Sequence, residues 1–184
     1  MQQSRWLNWM IEQSSLRNAE SLIRFGAEKL SSISNVPRLE AEVLLSNLLK
    51  INPIKFHTDD IGISSNVMDK FESMIESRFK GMPIAYLIGK KEFWSLEFEI
   101  NPSVLVPRPE TELLIENAIE LLKDHDSPRI LELGTGSGVV SIVLYKELVT
   151  PEITATDICD EALYVAKNNA DRHQIKDIDF LVSD

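Results

Sequence analysis

The sequence of 184 residues is informative first in what it has little of. It has one cysteine, Cys159, which excludes an internal disulfide framework and predicts a reducing compartment, the cytoplasm. Its histidines, His57, His125 and His173, lack the spacing of metal ligands, so we predict no metal site. No apolar run approaches the length of a membrane span, and the N-terminus has no signal-peptide pattern, so we predict no membrane association.

Basic residues are also scarce. The sequence has 19 lysines and arginines against 29 aspartates and glutamates, a formal net charge of −10, and the basic residues form no run. Tight binding to nucleic acid rests on clustered positive charge that neutralises phosphates. The balance therefore predicts no direct nucleic-acid binding, and a protein or a small molecule is the expected partner. A hydrophobic fraction of 43% is enough for a folded core.

The first 80 residues have the periodicity of amphipathic helices. Apolar residues recur at helical spacing in "RWLNWMIEQ", "SLIRFGAEKL", "RLEAEVLLSNLLK" and "SSNVMDKFESMIESRF". In the third segment, the predicted buried stripe is Leu39, Val43, Leu44, Leu48 and Leu49, and the predicted solvent face is Glu40, Glu42 and Asn47. The pattern predicts a helical bundle over residues 1–80 with no catalytic constellation of its own.

Strand signals follow over residues 81–108, the predicted linker. In "EFWSLEFEI", two sets of side chains alternate, Phe93, Ser95 and Glu97 against Trp94, Leu96 and Phe98, which predicts a β-hairpin with one buried face. Two prolines stiffen the segment around Arg108, and Thr111 is the predicted N-cap of the helix "ELLIENAIELLK".

Residues 109–184 alternate between strand and helix patterns. "RILEL", "EITATD" and "IDFLVSD" read as strands, with "GVVSIVLYKEL" and "EALYVAKNNADRH" as the helices between them. This alternation is typical of an α/β fold with a parallel sheet. Between the first strand and its helix, Gly134, Gly136 and Gly138 would let a ligand approach main-chain amides at a helix N-terminus.

The spacing of this glycine turn discriminates among cofactors. The dinucleotide fingerprint G-x-G-x-x-G would need a glycine where Val139 stands, and no Gly-Lys-Ser/Thr of a phosphate-binding loop follows. The pattern E-x-G-x-G-x-G, which starts at Glu132, is the one associated with S-adenosylmethionine. The second strand ends at Asp157, where a carboxylate can accept hydrogen bonds from both ribose hydroxyls. The sequence therefore favours S-adenosylmethionine over NAD.

The chain as a whole resembles the HemK/PrmC family, which methylates the side-chain amide (N5) of the glutamine in the Gly-Gly-Gln loop of peptide-chain release factors. The similarity is densest in "PIAYLIGKKEFWSLEFEINPSVLVPRPETELLIE" and continues through "LELGTGSG" and "TATDICDEALYVAKNNA". "EFW" together with "PRPETE" is more specific than the glycine turn, which many methyltransferases share. The resemblance implies an α/β chain with an N-terminal helical substrate-recognition domain, a hairpin linker and the first half of a Rossmann-like class I methyltransferase domain.

Site residues follow from the resemblance. The expected S-adenosylmethionine site consists of Glu132, Gly134, Thr135, Gly136, Ser137, Gly138, Asp157 and Asp184. Glu132 would face the cationic end of the cofactor's amino acid, Asp157 the ribose and Asp184 the adenine amine, although Glu132 and Asp184 also fit solvated strand-end carboxylates. The expected glutamine pocket consists of Phe93, Arg108 and Thr111, with packing between domains and helix capping as the alternative.

One departure from the family is large. Its catalytic Asn-Pro-Pro-Tyr motif lies at the end of the fourth strand, and this sequence stops on the third, so no catalytic residue is expected in it. The family's strand order, 3-2-1-4-5-7-6, then predicts the first strand as an unpaired apolar edge. We expect a fragment of a longer enzyme that does not turn over by itself.

Two other functions stay open at this point. A methyltransferase acting on nucleic-acid bases would need a basic channel, which the charge balance does not supply. A non-catalytic module would keep the helical domain and dock a translation protein. The residues that follow the third strand would distinguish them.

Overall fold

The structure, a computed structural model, describes residues 18–183. The chain forms two compact units, which divide between Ile88 and Gly89. In the described part of the chain, no helix is both long and apolar enough to cross a membrane, and no cluster of His, Cys, Asp or Glu side chains is arranged to hold a metal ion. The predicted helix "RWLNWMIEQ" and Asp184 lie outside the described residues.

The first unit is helical. Its elements are α1 (Ala19–Leu30), α2 (Pro37–Leu49), a 3₁₀ turn (Pro53–His57), α3 (Ser65–Phe79) and the short α4 (Ile84–Ile88). Asn18 caps α1, because its side-chain oxygen accepts the N–H of Ser21 at 3.0 Å. Pro37 starts α2, where a missing N–H costs nothing, and Lys50, the C-cap that follows the helix, has a left-handed conformation. These signals delimit the predicted bundle.

The inward face of α2 agrees with the predicted stripe only in part: Leu44 is buried, and Leu48 and Leu49 pack against the core, as predicted. Leu39 is 56% exposed, whereas Ala41, Leu44 and Leu45 are fully buried and Glu42 is 8% exposed. The reason is that α2 has apolar side chains on more than one face, so the apolar pattern does not single out one of them. The small residue Ala41 decides which face approaches α1. A Cβ on Gly26 of α1 would lie only 3.1 Å from the Cβ of Ala41.

The two glutamates predicted to face solvent on α2 are both paired. The Glu40 carboxylate accepts two hydrogen bonds, of 2.9 and 3.0 Å, from the Arg78 guanidinium on α3. The Glu42 carboxylate lies 2.9 Å from Nε of Arg38. Because these carboxylates are only partly exposed, pairing offsets the cost of removing them from water. The Glu40–Arg78 pair thus ties α2 to α3.

The second unit opens with the predicted hairpin, in a different phase. Strands β1 (Lys90–Phe93) and β2 (Leu96–Glu99) are antiparallel, with Phe93 opposite Leu96. The turn residues Trp94 and Ser95 have φ values of 51° and 58°, which is the backbone of a two-residue hairpin turn. The prediction of one continuous alternation through the turn is wrong, because the chain reverses there. Phe93 and Phe98 share the buried face, with ring centroids 6.4 Å apart.

A parallel sheet with helices completes the second unit. The elements after the hairpin are α5 (Glu110–Leu122), β3 (Arg129–Leu133), α6 (Val139–Glu147), β4 (Glu152–Asp157), α7 (Asp160–Arg172) and β5 (Ile178–Val182). The strand order is β3-β4-β5, all parallel. The predicted strands and helices of this region are confirmed, and with them the α/β class. Leu131 and Leu133 of β3 are 64% and 69% exposed.

Candidate functional site

The turn "GTGSG" between β3 and α6 has a backbone that suits glycine. Gly134, Gly136 and Gly138 have φ values of 71°, 56° and 82°, in the left-handed region where a Cβ is disfavoured. The turn lies at the carboxyl end of β3, beside the end of β4 at Asp157. In open parallel sheets this is the edge where ligands bind.

The three glycines have different surroundings. Among the described residues, a Cβ added at Gly134 or Gly136 would meet no atom within 4 Å apart from its chain neighbours. A Cβ at Gly138 would lie 3.1 Å from the Cβ of Ala166 and 3.2 Å from Ile142. The first two glycines therefore border open space, and the third lets α6 pack closely on α7.

The residues between the glycines fix the turn from inside. Thr135 and Ser137 are 3% and 2% exposed. The Thr135 N–H donates to the Thr156 carbonyl at 2.8 Å, which ties the turn to β4, and the Gly138 N–H donates back to the Thr135 carbonyl at 2.9 Å. Because both side chains are buried, Thr135 and Ser137 shape the turn.

Glu132 holds the start of α6. Its Oε2 accepts hydrogen bonds from the Thr135 hydroxyl at 2.9 Å, from the Ser141 N–H at 3.1 Å and from the Ser141 hydroxyl. Gly138, the N-cap of α6, has no side chain to satisfy the free N–H groups of the first turn, so the glutamate does this instead. Burial raises the pKa of the Glu132 carboxyl, and the hydrogen bonds from Ser141 and Thr135 oppose that rise.

Asp157 joins the ends of the two strands. Its Oδ2 accepts the Gly136 N–H at 2.9 Å, and its Oδ1 accepts the Cys159 N–H at 3.0 Å. The carboxylate therefore anchors the middle of the glycine turn and also holds the backbone of Cys159, the residue just before α7. Since a carboxylate has about four lone-pair sites, each oxygen keeps capacity for a further donor.

The residues predicted to form the glutamine pocket lie at the end of β1 (Phe93), before α5 (Arg108) and in the first turn of α5 (Thr111). Phe93 is 4% exposed and packs edge-on to Phe98. Arg108 is exposed, and its carbonyl accepts the Thr111 N–H at 3.0 Å. Thr111 is not an N-cap: α5 begins at Glu110 and its N-cap is Pro109, which has no capping side chain. The prolines set the backbone here, so the helix begins earlier than a threonine cap predicts.

Cavity size does not identify the site. A cavity of about 580 Å³ lies at the amino ends of the strands, beside Arg129, Glu152 and Asp177, opposite to the glycine turn. A second, about 560 Å³, lies at the hairpin tip beside Phe93, and there the Trp94 Nε1 donates to Glu147 at 2.9 Å. The geometry of the turn, rather than volume, marks the candidate site.

Sequence reasoning missed one residue of this region, Asn169. It is a fully buried polar side chain on α7 and donates to the Ser137 carbonyl at 2.9 Å. The signal was present, because the buried positions of α7 recur at helical spacing and include it: Ala162, Leu163, Val165, Ala166, Asn169 and Ala170. A lone amide in an apolar stripe is the pattern that identifies such a residue.

Comparison with known proteins matches both parts of the chain. A family model described as the PrmC N-terminal domain matches residues 21–89, and one described as a methyltransferase domain matches residues 124–184. The resemblance to the HemK/PrmC family is thereby confirmed.

Similar curated proteins are release factor glutamine methyltransferases. The one from Coxiella burnetii is 41% identical over 84% of this chain and 56% of its own length. The one from Shewanella oneidensis is 34% identical over 95% of this chain and 60% of its own length. The chain therefore spans under two thirds of the length of these relatives. Among solved structures, a ribosomal protein L11 methylase from Lactobacillus delbrueckii subsp. bulgaricus is 31% identical over 40% of this chain and 38% of its own, with a TM-score of 0.36.

Proposed function

We propose that this chain carries the substrate-recognition and cofactor-binding parts of an S-adenosylmethionine-dependent methyltransferase that modifies the glutamine amide of a peptide-chain release factor. The observation that carries the proposal is the glycine turn. Its backbone at Gly134 and Gly136 borders open space, and the Asp157 carboxylate is fixed beside it. The names of the similar curated proteins support the same activity.

The residues present fit S-adenosylmethionine. Gly134 and Gly136 leave the room that a ligand needs to approach the backbone, and Asp157 has acceptor sites for ribose hydroxyls. All three donors to Glu132 converge on Oε2, so we propose that Oε1 receives the cofactor's ammonium group. The adenine would be held by Asp184. When bound, the cofactor supplies a methyl group on a positively charged sulfur, which makes that methyl electrophilic.

The substrate atom explains why positioning matters. A glutamine amide nitrogen is a poor nucleophile, because its lone pair is delocalised into the carbonyl. Holding it in line with the methyl group can lower the barrier by roughly 7–11 kcal/mol. We propose that Phe93, Arg108 and Thr111 shape the side of the pocket that receives the glutamine. Their placement on the hairpin and at the start of α5 puts them on elements that immediately precede β3.

The helical unit is the proposed docking surface for the release factor. Remote contacts with a large protein substrate can be used to position its reacting amide. A net charge of −10 fits a protein partner better than a bare nucleic acid. Because translation termination takes place in the cytoplasm, we propose that compartment for the protein.

Methyl transfer to an intact release factor tests the proposal. The protein at the full length of its relatives is incubated with S-adenosylmethionine and the release factor. The release factor is then digested, and its peptides are analysed by mass spectrometry. The proposal predicts one added methyl group on the Gly-Gly-Gln peptide, and none with the Gly136→Ala variant. Methylation of a nucleic acid instead would support a base methyltransferase. Release-factor binding without methylation would support a non-catalytic module.

A short Gly-Gly-Gln peptide tests the role of the helical unit. Because remote binding energy positions the amide, the peptide should show a lower kcat as well as a higher KM than the intact release factor. Equal kcat/KM values for the two substrates would leave the helical unit with no part in recognition.

A further inference from the structure

The amide of Asn169, on α7, connects two elements that lie far apart in sequence. Its Nδ2 donates to the Ser137 carbonyl in the glycine turn at 2.9 Å and to the Glu99 carbonyl on β2 at 3.0 Å. Its Oδ1 accepts the Glu99 N–H at 2.7 Å. The side chain is 0% exposed, so water does not replace any of these bonds.

The register of the hairpin explains why Glu99 needs such a partner. The Ile100 N–H donates to the Gly89 carbonyl, toward the first strand. Antiparallel pairs alternate between bonded and non-bonded positions, so the N–H and the carbonyl of Glu99 point away from β1. Asn169 satisfies both, as the next strand of a sheet would. A side-chain amide can do this because it contains a donor and an acceptor in one plane.

The hydrogen bond to Ser137 connects Asn169 to the glycine turn as well as to the hairpin. Ser137 lies between Gly136 and Gly138, and its carbonyl takes the second amide proton of Asn169. Both donor protons are therefore used, one on each element. Aspartate has the same shape, but it would place negative charge against two carbonyl oxygens. Leucine would leave these carbonyls and the Glu99 N–H without a partner, and unsatisfied buried groups are costly.

Other contacts between α7 and the hairpin do not reach the turn. The His173 ring is within hydrogen-bonding distance, 3.0 Å, of the Glu97 carbonyl and packs against Phe98 with ring centroids 5.2 Å apart. Arg172 lies 3.5 Å from carboxylate oxygens of Glu97 and Glu99. These contacts hold the hairpin to α7 alone, and so they offer a matched comparison.

From this geometry we infer that Asn169 is a positioning residue that sets the glycine turn in register with the hairpin. The inference rests on the proposed function for its consequence: the turn is the cofactor side of the site, and the hairpin carries Phe93 of the glutamine side. A shift of either element breaks bonds to the same amide. Binding at the turn should therefore rigidify the hairpin, and the coupling is reciprocal.

Amide hydrogen exchange in the 184-residue chain tests the linkage without any assay of activity. In Asn169→Ala, exchange should accelerate about tenfold or more at Gly136 and Gly138 in the turn and at Ile100 on the hairpin, because one amide restrains both. In His173→Ala, exchange should accelerate on the hairpin only. Val165→Ala, which removes buried volume from the same helix without a bond to either element, controls for a general loss of stability.

Three outcomes are decisive. Faster exchange at both elements in Asn169→Ala, beyond that in a Val165→Ala variant of equal melting temperature, supports the inference. Unchanged exchange in the turn overturns it, as does an equal effect of His173→Ala on the turn. If Asn169→Ala does not fold, Asn169→Ser is used instead. Its hydroxyl can hydrogen-bond to only one of the two elements, so exchange should accelerate in the other.

The cofactor arm separates this inference from the proposed function. Added S-adenosylmethionine should slow exchange at Ile100 in the wild type and not in the Asn169 variant that folds. If the wild type at the full length of its relatives binds no S-adenosylmethionine, the proposed function fails while the exchange comparison still decides the linkage. If the cofactor binds and slows exchange at Ile100 equally in both proteins, the coupling through Asn169 is wrong.

Discussion

The carboxylate of Asp157, at the end of β4, accepts the backbone N–H of Gly136, in the middle of the glycine turn, at 2.9 Å. Its other oxygen accepts the N–H of Cys159. The acid that the sequence assigns to a ribose is thus also part of the scaffold that shapes the turn. Changes at this position should therefore alter both stability and ligand affinity.

Asp157→Ala should weaken S-adenosylmethionine binding about 10- to 150-fold, because hydrogen bonds to a charged group contribute roughly 1.5–3 kcal/mol. It should also lower the melting temperature, since two N–H groups lose their acceptor. Asp160→Ala, which removes the same charge from an exposed site in the first turn of α7, should change neither greatly. Calorimetric titration and thermal unfolding measure the two effects. An affinity change below about threefold would exclude Asp157 as the ribose anchor.

Gly136→Ala separates backbone strain from loss of the binding surface. A Cβ at this left-handed position costs roughly 1–2 kcal/mol of stability. Gly89 is its matched control, because it has a φ of 75° and, among the described residues, the same open surroundings. Both variants should lose similar stability, and only Gly136→Ala should lose cofactor binding. Equal affinity in the two variants would show that the turn does not border the ligand.

The raised pKa of the Glu132 carboxyl should make the stability of the protein depend on pH. Burial raises the pKa of its carboxyl above 4.5 in the folded state, so the wild type is penalised as pH rises through that raised pKa. Glu132→Gln has no such titration. The free energy of unfolding of the variant minus that of the wild type should therefore increase between about pH 4.5 and the raised pKa, by at most about 1.4 kcal/mol per pH unit, and should be level below and above that range.

Urea unfolding at a series of pH values measures this difference. A difference for Glu132→Gln that falls as pH rises would mean that the carboxylate is stabilised by its hydrogen bonds more than it is penalised by burial.

Gly26→Ala should destabilise the helical unit although alanine is the better helix former. The added Cβ would lie 2.9 Å from atoms of Ile75 and Phe71, both fully buried. Overpacking of this kind costs about 1–3 kcal/mol, more than the roughly 1 kcal/mol that helix propensity returns. Gly62→Ala meets no atom within 4 Å among the described residues and should be close to neutral. Thermal unfolding of the two variants gives the comparison, and equal melting temperatures would contradict the packing argument.

The elements of the α/β region were predictable because each follows from local pattern. "RILEL" gives β3 residue for residue, and the glycine turn follows it directly. The predicted faces were less reliable where tertiary approach decides. Ala41 faces inward because Gly26 lets α1 come close, and no periodicity within α2 contains that information.

The structure differs from the sequence predictions at two further places, the hairpin turn and Asn169. The hairpin was predicted, but Trp94 and Ser95 form its left-handed turn without the glycine or asparagine that usually marks one, so the position of the reversal has no signal in the sequence. Asn169 is polar by type, and its role depends on the outward backbone groups of Glu99, seventy positions away. Local pattern marks Asn169 as a buried amide, but it does not show which distant backbone groups that amide satisfies.

The most direct test of the account is a calorimetric comparison of S-adenosylmethionine and NAD as ligands of the protein at the full length of its relatives. The glycine spacing, the open space at Gly134 and Gly136, and the fixed carboxylate of Asp157 predict saturable binding of S-adenosylmethionine that Gly136→Ala abolishes and Gly89→Ala retains. They predict no saturable binding of NAD. Saturable binding of NAD, or S-adenosylmethionine binding that survives in Gly136→Ala, would contradict the assignment of this turn as the cofactor site.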